Sequence, residues 1–161
     1  DLCIEPGLGF GTGEHPSTRG ALNALVAEAN PGESLLDVGC GSGILALAAT
    51  HLGLHAEGID IAEDAIGSAQ HNAGLNGMNV PFSTTPLHEF QRTFDVVVAN
   101  IHAEAIVELW PELSRCTART LILSGILEDR EAMLKPLFMS GFSVQLRQLD
   151  APWITLTLER L

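Results

Sequence analysis

Glycines alternate with other residues at positions 39, 41 and 43, directly after a short apolar run that contains Asp37. The run 35–38 predicts a buried strand, and the apolar stretch that begins at Ile44 predicts a helix. Glycines let a ligand approach the backbone closely, and N–H groups at a helix start attract its polar groups. A strand, a glycine turn and a helix in this order therefore predict a site for a nucleotide-like ligand.

The spacing of the glycines distinguishes two cofactor classes. The dinucleotide fingerprint G-x-G-x-x-G needs a third glycine at the position of Ile44, so that pattern is broken. The remaining pattern, Asp37-x-Gly39-x-Gly41-x-Gly43, is similar to the first motif of class I S-adenosylmethionine-dependent methyltransferases. A glycine turn without a ligand is the alternative, because short glycine patterns recur by chance.

Asp60 lies 21 residues after Gly39, at the tip of the second predicted strand, 54–60. An acidic residue at this point is placed to accept hydrogen bonds from ribose hydroxyls. Both cofactor classes use this device, so Asp60 predicts a ribose without choosing between them. A helix N-cap is the other interpretation, and it is compatible with ribose binding.

Asn100 ends the apolar strand predicted at 94–100 and so lies at the carboxyl edge, where open α/β sheets bind ligands. Its amide oxygen is suited to accept a hydrogen bond from an amine and orient the nitrogen lone pair, which predicts a catalytic role. Ile101 and His102 follow it instead of Pro-Pro-aromatic, which disfavours adenine or glutamine amides as substrates. A helix N-cap is again the alternative.

The order of elements predicts an α/β fold. Strands alternate with helices as far as a fifth strand at 120–124, and a hairpin formed by 142–149 and 153–158 closes the chain. We expect a Rossmann-like, doubly wound, mainly parallel seven-stranded sheet with an antiparallel last strand, in a single domain spanning 1–161. Residues 2–5 predict a short edge strand, and 128–140 predicts a helix disturbed at Pro136.

Composition excludes several classes of protein. The net charge of −12 disfavours direct nucleic-acid binding and suits a basic partner. No apolar run approaches the length of a membrane span, and no secretory signal is found at the start, DLCIEPGLGF. Three widely spaced cysteines indicate neither a disulfide framework nor a metal site, so we expect a cytoplasmic protein without a bound metal.

Four stretches together resemble the bacterial ribosomal protein L11 methyltransferase (PrmA) family. They read PGLGFGTGEHPSTRG, DVGCGSGILALAA, GIDIAEDAIGSAQHNAGLNG and VVVANIHAEAI, and the terminal PWITLTLER is also similar to the family's end. The glycine-rich first stretch is the most specific part. The resemblance implies S-adenosylmethionine (SAM) as cofactor and methylation of protein amino groups, on lysine or an α-amine, most directly those of a ribosomal protein.

The resemblance also assigns site residues by position. Asp60 would bind ribose, Gly39 would line the methionine side of the cofactor, and Asn100 would meet the incoming amine. Thr18 would contact the cofactor from the end of the first stretch. With the motif residues Asp37 and Gly41, the full predicted cofactor set is Phe10, Thr12, Gly13, Thr18, Asp37, Gly39, Gly41, Asp60 and Asn100. Within this set we expect the Asp37 carboxylate to orient the glycine turn rather than to take part in the chemistry.

Departures from the family leave the substrate open. Ser17, His102 and Glu104 stand where the family usually has threonine, leucine and glycine. Family members also carry an N-terminal substrate-recognition domain, and nothing in this sequence corresponds to it. The alternatives are a methyltransferase of another protein or of a small molecule, a non-catalytic cofactor-binding module, and a nicotinamide-dependent oxidoreductase, which the glycine spacing disfavours.

Two further assignments come from residue type. Glu14, His15 and His102 fall near the predicted site and are candidates for a general base, although a surface or capping role fits each of them as well. Trp110 and Trp153 are interpreted as core residues rather than as stacking platforms for a ligand.

Overall fold

The computed structural model describes residues 2–5 and 14–161, which form a mixed sheet covered by helices on both faces. The helices are α1 (Pro16–Glu28), α2 (Ile44–His51), α3 (Glu63–Leu75), α4 (Ala103–Cys116) and α5 (Lys135–Phe138). The strands are β1 (Ser34–Val38), β2 (His55–Ile59), β3 (Phe82–Ser83), β4 (Phe94–Asn100), β5 (Thr117–Leu127), β6 (Phe142–Asp150) and β7 (Trp153–Arg160). Two 3-10 turns, Leu87–Glu89 and Glu128–Met133, complete the elements.

The seven strands are arranged in the order β3-β2-β1-β4-β5-β7-β6. Strands β1 to β5 pair in parallel, whereas β7 pairs antiparallel with both β5 and β6. The predicted seven-stranded, doubly wound sheet with an antiparallel last strand is therefore confirmed. From β1 the chain proceeds outward through β2 to β3, and it then returns to add β4 on the other side of β1. Open α/β sheets bind ligands at such a switch point.

The central strands are apolar throughout because helices cover both of their faces. On β4, Val96 and Val98 pack into a cluster with α1, α2 and α3, whereas Val97 and Ala99 pack into a second cluster with α4. All four side chains are completely buried. Continuous apolar runs of this kind are typical of parallel strands buried on both faces.

Two sequence predictions of local structure are wrong. Residues 2–5 form no strand; Leu2 and Ile4 instead pack against the core cluster on the α3 side. The helix expected over 128–140, with a disturbance at Pro136, is instead a 3-10 turn followed by the short helix α5, which has Pro136 in its first turn. Proline is accepted in a first turn, where its missing N–H needs no partner within the helix, so a new helix can begin at Lys135.

Close packing of β2 against β3 generates a testable prediction. A Cβ at Gly58 would lie 2.7 Å from Cδ1 of Phe82, while one at Gly67 on α3 would meet no heavy atom of the described residues within 4 Å. We expect Gly58→Ala to lower the free energy of unfolding by about 1–3 kcal/mol through overpacking. Gly67→Ala should raise it by up to about 1 kcal/mol through helix propensity. Urea unfolding of both variants checks this, and equal changes would contradict the packing.

Candidate functional site

A cavity of about 670 Å³ opens at the carboxyl edge of the sheet, where β1, β2, β4 and β5 end. Its walls include Gly39 after β1, Asp60 after β2, Asn100 at the end of β4 and Gly125 in β5. Three sequence-predicted site residues, Gly39, Asp60 and Asn100, are thus brought together on one surface. A volume of this size falls within the range of ligand-binding sites.

The glycine turn is shaped by backbone conformations that favour glycine. Gly39 has φ of +74° and Gly43, which caps α2, has φ of +85°. The N–H groups of Gly39 and Cys40 both donate to the carbonyl of Ile59, at 2.8 and 2.9 Å, which ties the turn to the end of β2. A Cβ at Gly39 would approach Cγ2 of Ile101 within 2.8 Å, so the turn needs glycine at a position that lines the cavity.

Asp60 is fixed by two backbone donors. The N–H of Gly41 donates to Oδ2 at 3.0 Å, and the N–H of Ala62 donates to Oδ1 at 3.0 Å. A carboxylate has about four acceptor positions, so each oxygen retains capacity for a further donor. Asp60 therefore both holds the turn and presents acceptors at the cavity wall. Gly41 lies off the cavity and acts through this hydrogen bond.

An apolar wall lies beside Asp60 and was missed by sequence reasoning. The side chain of Ile61 is fully exposed, at 100%, and lines the cavity together with Pro86 and Leu87. Exposing a large aliphatic side chain completely costs hydrophobic free energy unless something covers it. The signal available in the sequence is a large aliphatic residue directly after the acidic strand tip.

Asn100 is held in place from two sides. Its Nδ2 donates to Oγ1 of Thr18 on α1 at 3.4 Å, and Gly125 packs so closely that a Cβ there would lie 2.8 Å from Asn100 Oδ1. Thr18 is completely buried and does not line the cavity formed by the described residues. The structure therefore places Thr18 behind Asn100, in a supporting position.

Hydroxyl groups anchor the start of α1 to the sheet next to Asn100. The hydroxyl of Ser124 on β5 donates to the carbonyl of Ser17 at 2.7 Å and lies 2.7 Å from Oγ1 of Thr155 on β7. All three residues are buried, and Ser17 also lines the cavity. These contacts fix the position of α1, and with it the position of Thr18.

Asp37 is buried under the glycine turn rather than on the cavity wall. Its Oδ2 accepts from the N–H of Ala46 at 3.2 Å, and Oδ1 has no hydrogen-bond partner within the described part of the chain. Burial raises the pKa of Asp37 to about 7; the Ala46 N–H opposes this and the Asp60 charge adds to it. Burial also raises the pKa of the neighbouring Cys40 thiol, which keeps that group protonated.

Charged and aromatic side chains line the far end of the cavity, beyond Asn100. His102 caps α4 by accepting from the N–H of Ala105 at 3.2 Å, and Glu104 lies 3.5 Å from Arg130. Hydrogen bonding from its own backbone N–H, with Arg130 and His102 nearby, lowers the pKa of Glu104. Trp153 also lines the cavity, so its interpretation as a core residue was wrong.

The three general-base candidates occupy different places. His102 lines the cavity, whereas His15 lies outside its wall, caps α1 by accepting from the Ser17 N–H at 3.1 Å and packs edge-on against Trp153. The backbone carbonyl of Glu14 accepts from Arg19. Phe10, Thr12 and Gly13, which belong to the predicted cofactor-binding set, lie outside the described residues.

Over 2–5 and 14–161, no group of three or more His, Cys, Asp and Glu side chains is arranged to hold a metal ion. Over the same ranges, no helix has both the length and the apolar character needed to cross a membrane.

Comparison with protein-family models decides the family. The model described as "Ribosomal protein L11 methyltransferase (PrmA)" matches residues 1–161. The chain belongs to this family. The family resemblance and the class I methyltransferase fold predicted from the sequence are thereby confirmed.

Individual relatives agree with that assignment. The ribosomal protein L11 methyltransferase of Thermotoga petrophila is 40% identical to this chain, and the alignment covers 99% of this chain and 62% of that protein. In Geobacter sulfurreducens the identity is 45%, over 93% of this chain and 51% of that protein. The chain therefore spans about half to three-fifths of the length of the curated relatives it matches.

Solved structures of the same fold include a member of the family. The ribosomal protein L11 methylase from Lactobacillus delbrueckii subsp. bulgaricus superposes with a TM-score of 0.87 at 31% identity, covering 92% of this chain and 80% of that one. Magnesium protoporphyrin IX methyltransferase from Synechocystis PCC 6803, solved with bound SAM, gives 0.75 at 27% identity, over 89% of this chain and 77% of that one.

The burial of Asp37 predicts a pH-dependent stability. Because its folded pKa is raised from 3.8 to about 7, stability is highest below the unfolded pKa and falls as pH rises through this window. The free energy of unfolding should fall by at most roughly 1.4 kcal/mol per pH unit in this window, and we expect Asp37→Asn to remove that dependence.

Chemical unfolding at pH values of about 5 and about 8 measures the difference. Asp64→Asn, on an exposed residue in the first turn of α3, is the matched control. Parallel pH profiles for the wild type and Asp37→Asn would contradict the raised pKa.

Proposed function

We propose that this chain binds SAM at the carboxyl edge of its sheet and transfers the methyl group to amino groups of a protein, most directly ribosomal protein L11. The single observation that carries the proposal is the Asp60 carboxylate, which holds the glycine turn and faces the cavity. Membership of the family and the SAM-bound structural relative support it.

The residues present fit a nucleoside cofactor. Asp60 retains acceptor capacity for ribose hydroxyls, and the exposed Ile61, with Pro86 and Leu87, offers an apolar surface for an adenine ring. Because Gly39 lines the cavity and has no side chain, it leaves room for the amino-acid end of the cofactor. Bound there, SAM would supply a sulfonium methyl group to an in-line nucleophile.

Asn100 is the residue we propose to act on the incoming amine. Because its Nδ2 donates to Thr18, its Oδ1 is the atom left to accept from a substrate N–H. A lysine amine has a pKa of roughly 10.4 in water, and transfer into a largely apolar cavity favours its neutral, nucleophilic form. Correct positioning supplies much of the rate enhancement in such a displacement.

Thr18, Asp37 and Gly41 have supporting roles in this proposal. Thr18 orients Asn100, Gly41 orients Asp60, and Asp37 anchors the first turn of α2 under the glycines. Among the general-base candidates, His102 is the one on the cavity wall. Its Nδ1 lies 3.2 Å from the Ala105 N–H and 3.3 Å from Glu104 Oε2, so contact with a substrate would use Nε2.

The acidic character of the chain fits a basic protein substrate. The net charge is −12, and opposite charge steers association between a protein and its partner. We further propose that residues 1–161 make up one cofactor-binding domain and that the protein acts in the cytoplasm. The curated relatives are longer than this chain, and we propose that the domain acts as part of a longer polypeptide.

Methyl transfer to purified ribosomal protein L11 tests the proposal. The chain and SAM should increase the mass of L11 by one methylene unit per transfer, with S-adenosylhomocysteine (SAH) as co-product. SAH binding without transfer to L11 would favour another protein, a small-molecule substrate or a non-catalytic module. Transfer that persists after the Asn100→Ala and Asp60→Ala changes would place the site elsewhere.

Asp60→Ala should weaken SAH binding about 10- to 100-fold, because hydrogen bonds to a charged acceptor contribute roughly 1.5–3 kcal/mol. Isothermal titration calorimetry measures the loss. Asp95→Ala is the matched control, since that carboxylate accepts from Ser34 at the opposite edge of the sheet. Equal affinities of the two variants would contradict the ribose assignment.

Asn100→Ala should lower kcat about a hundredfold while changing SAH affinity little, because its amide acts on the amine. Thr18→Val should give a smaller decrease in kcat, since it removes only the partner that orients Asn100. Single-turnover methylation at saturating SAM, with calorimetry in parallel, separates the two effects. A loss of SAH affinity with unchanged kcat would assign Asn100 to cofactor binding alone.

A further inference from the structure

Residues 2–5 are held on α3 by two asparagine side chains. Oδ1 of Asn76 accepts from the Cys3 N–H at 2.8 Å, and its Nδ2 donates to the Cys3 carbonyl at 2.7 Å. Oδ1 of Asn72 accepts from the Glu5 N–H at 2.8 Å, and its Nδ2 donates to the Glu5 carbonyl at 2.9 Å. Each carboxamide thus pairs with one backbone residue as a neighbouring strand would.

The spacing of the two asparagines explains this pairing. Residues four apart on a helix lie on one face and are separated by about 6 Å along its axis. Alternate residues of an extended chain are separated by roughly 6.6 Å. Asn72 therefore matches Glu5 and Asn76 matches Cys3, and the backbone groups of these two residues find partners without joining the sheet.

Asn72 makes a further contact that Asn76 does not duplicate. Its Nδ2 also donates to the carbonyl of Ser42 at 2.9 Å, within the glycine turn. The Asn72 side chain is completely buried. One carboxamide therefore joins α3, residues 2–5 and the turn, and its two N–H donors are divided between Glu5 and Ser42.

Two consecutive residues of the glycine turn are consequently held by side chains. Asp60 holds the N–H of Gly41, and Asn72 holds the carbonyl of Ser42, the next residue. Of the three hydrogen bonds that the Asn72 carboxamide makes within the described part of the chain, two are to Glu5. Loss of residues 2–5 from α3 would remove those two and leave the amide held by the Ser42 carbonyl alone.

We propose that Asn72 is a positioning residue that couples docking of residues 2–5 to cofactor binding at the glycine turn. This inference rests on the proposed function, because SAM is the ligand assigned to that turn. Coupling between two sites is reciprocal: if docking raises cofactor affinity by some factor, cofactor stabilises docking by the same factor.

Hydrogen exchange in the wild-type chain tests the coupling without any substitution. The Glu5 amide is protected by Asn72 Oδ1, so its exchange reports undocking of the segment. We expect saturation with SAH to slow Glu5 exchange about tenfold, which a merely structural asparagine would not produce. The Cys3 amide, held by Asn76, should slow with it.

Two matched variants complete the test. Asn72→Ala should weaken SAH binding roughly tenfold, because it removes the Glu5 pair and the Ser42 contact together. Asn76→Ala keeps all three of these hydrogen bonds and removes only those to Cys3, so it should cause a much smaller loss. Circular dichroism identifies a temperature at which both variants are folded. Calorimetry is then performed at that temperature.

The outcomes separate the inference from the proposed function. Wild-type binding of SAH with unchanged Glu5 exchange, or equal affinities in the two variants, would overturn the coupling and leave the proposed function intact. Absence of SAH binding to the wild type would overturn the proposed function and the coupling together. Slower Glu5 exchange with SAH and a selective effect of Asn72→Ala support both.

Discussion

The site depends on one topological constraint: successive strands are added outward on opposite sides of the neighbouring pair β1 and β4. These neighbouring strands are parallel, and the segments that follow them pack into different clusters, α2 on one face of the sheet and α4 on the other. No helix can then cover the space where the two strands end, so a crevice forms. The ends of β2 and β5 extend that crevice, and the cavity occupies it.

Polar groups at the crevice are fixed before any ligand arrives. Asp60 is bound by two backbone N–H groups, and Asn100 is held by Thr18 and by close packing of Gly125. Side chains restrained in this way lose little conformational entropy on binding. A larger part of the interaction free energy of each contact is therefore available for affinity or catalysis. The same restraint explains why glycine is needed in the turn and in β5.

Local rules were sufficient for the residues that sit at strand ends. Gly39, Asp60 and Asn100 each follow a strand whose apolar character marks it as buried, and parallel strands bring their carboxyl ends to one edge. Their convergence was therefore predictable without coordinates. The antiparallel closure followed from the short connection between the last two strands.

Other contributions were not predictable because they depend on which surfaces meet in three dimensions. Thr18 reaches Asn100 only through the packing of α1 on the sheet, and Trp153 reaches the cavity only because β7 inserts beside β5. Residues 2–5 looked like a strand, but their hydrogen bonds are satisfied by asparagine side chains. No periodicity in the sequence identifies a side chain as a substitute for a neighbouring strand.

Calorimetric titration of the chain with SAH, with NADH as a parallel ligand, tests directly whether the glycine turn and Asp60 bind SAM. We expect saturable one-to-one binding of SAH and no binding of NADH. Binding of NADH without SAH would contradict SAM binding and would assign the crevice to a dinucleotide.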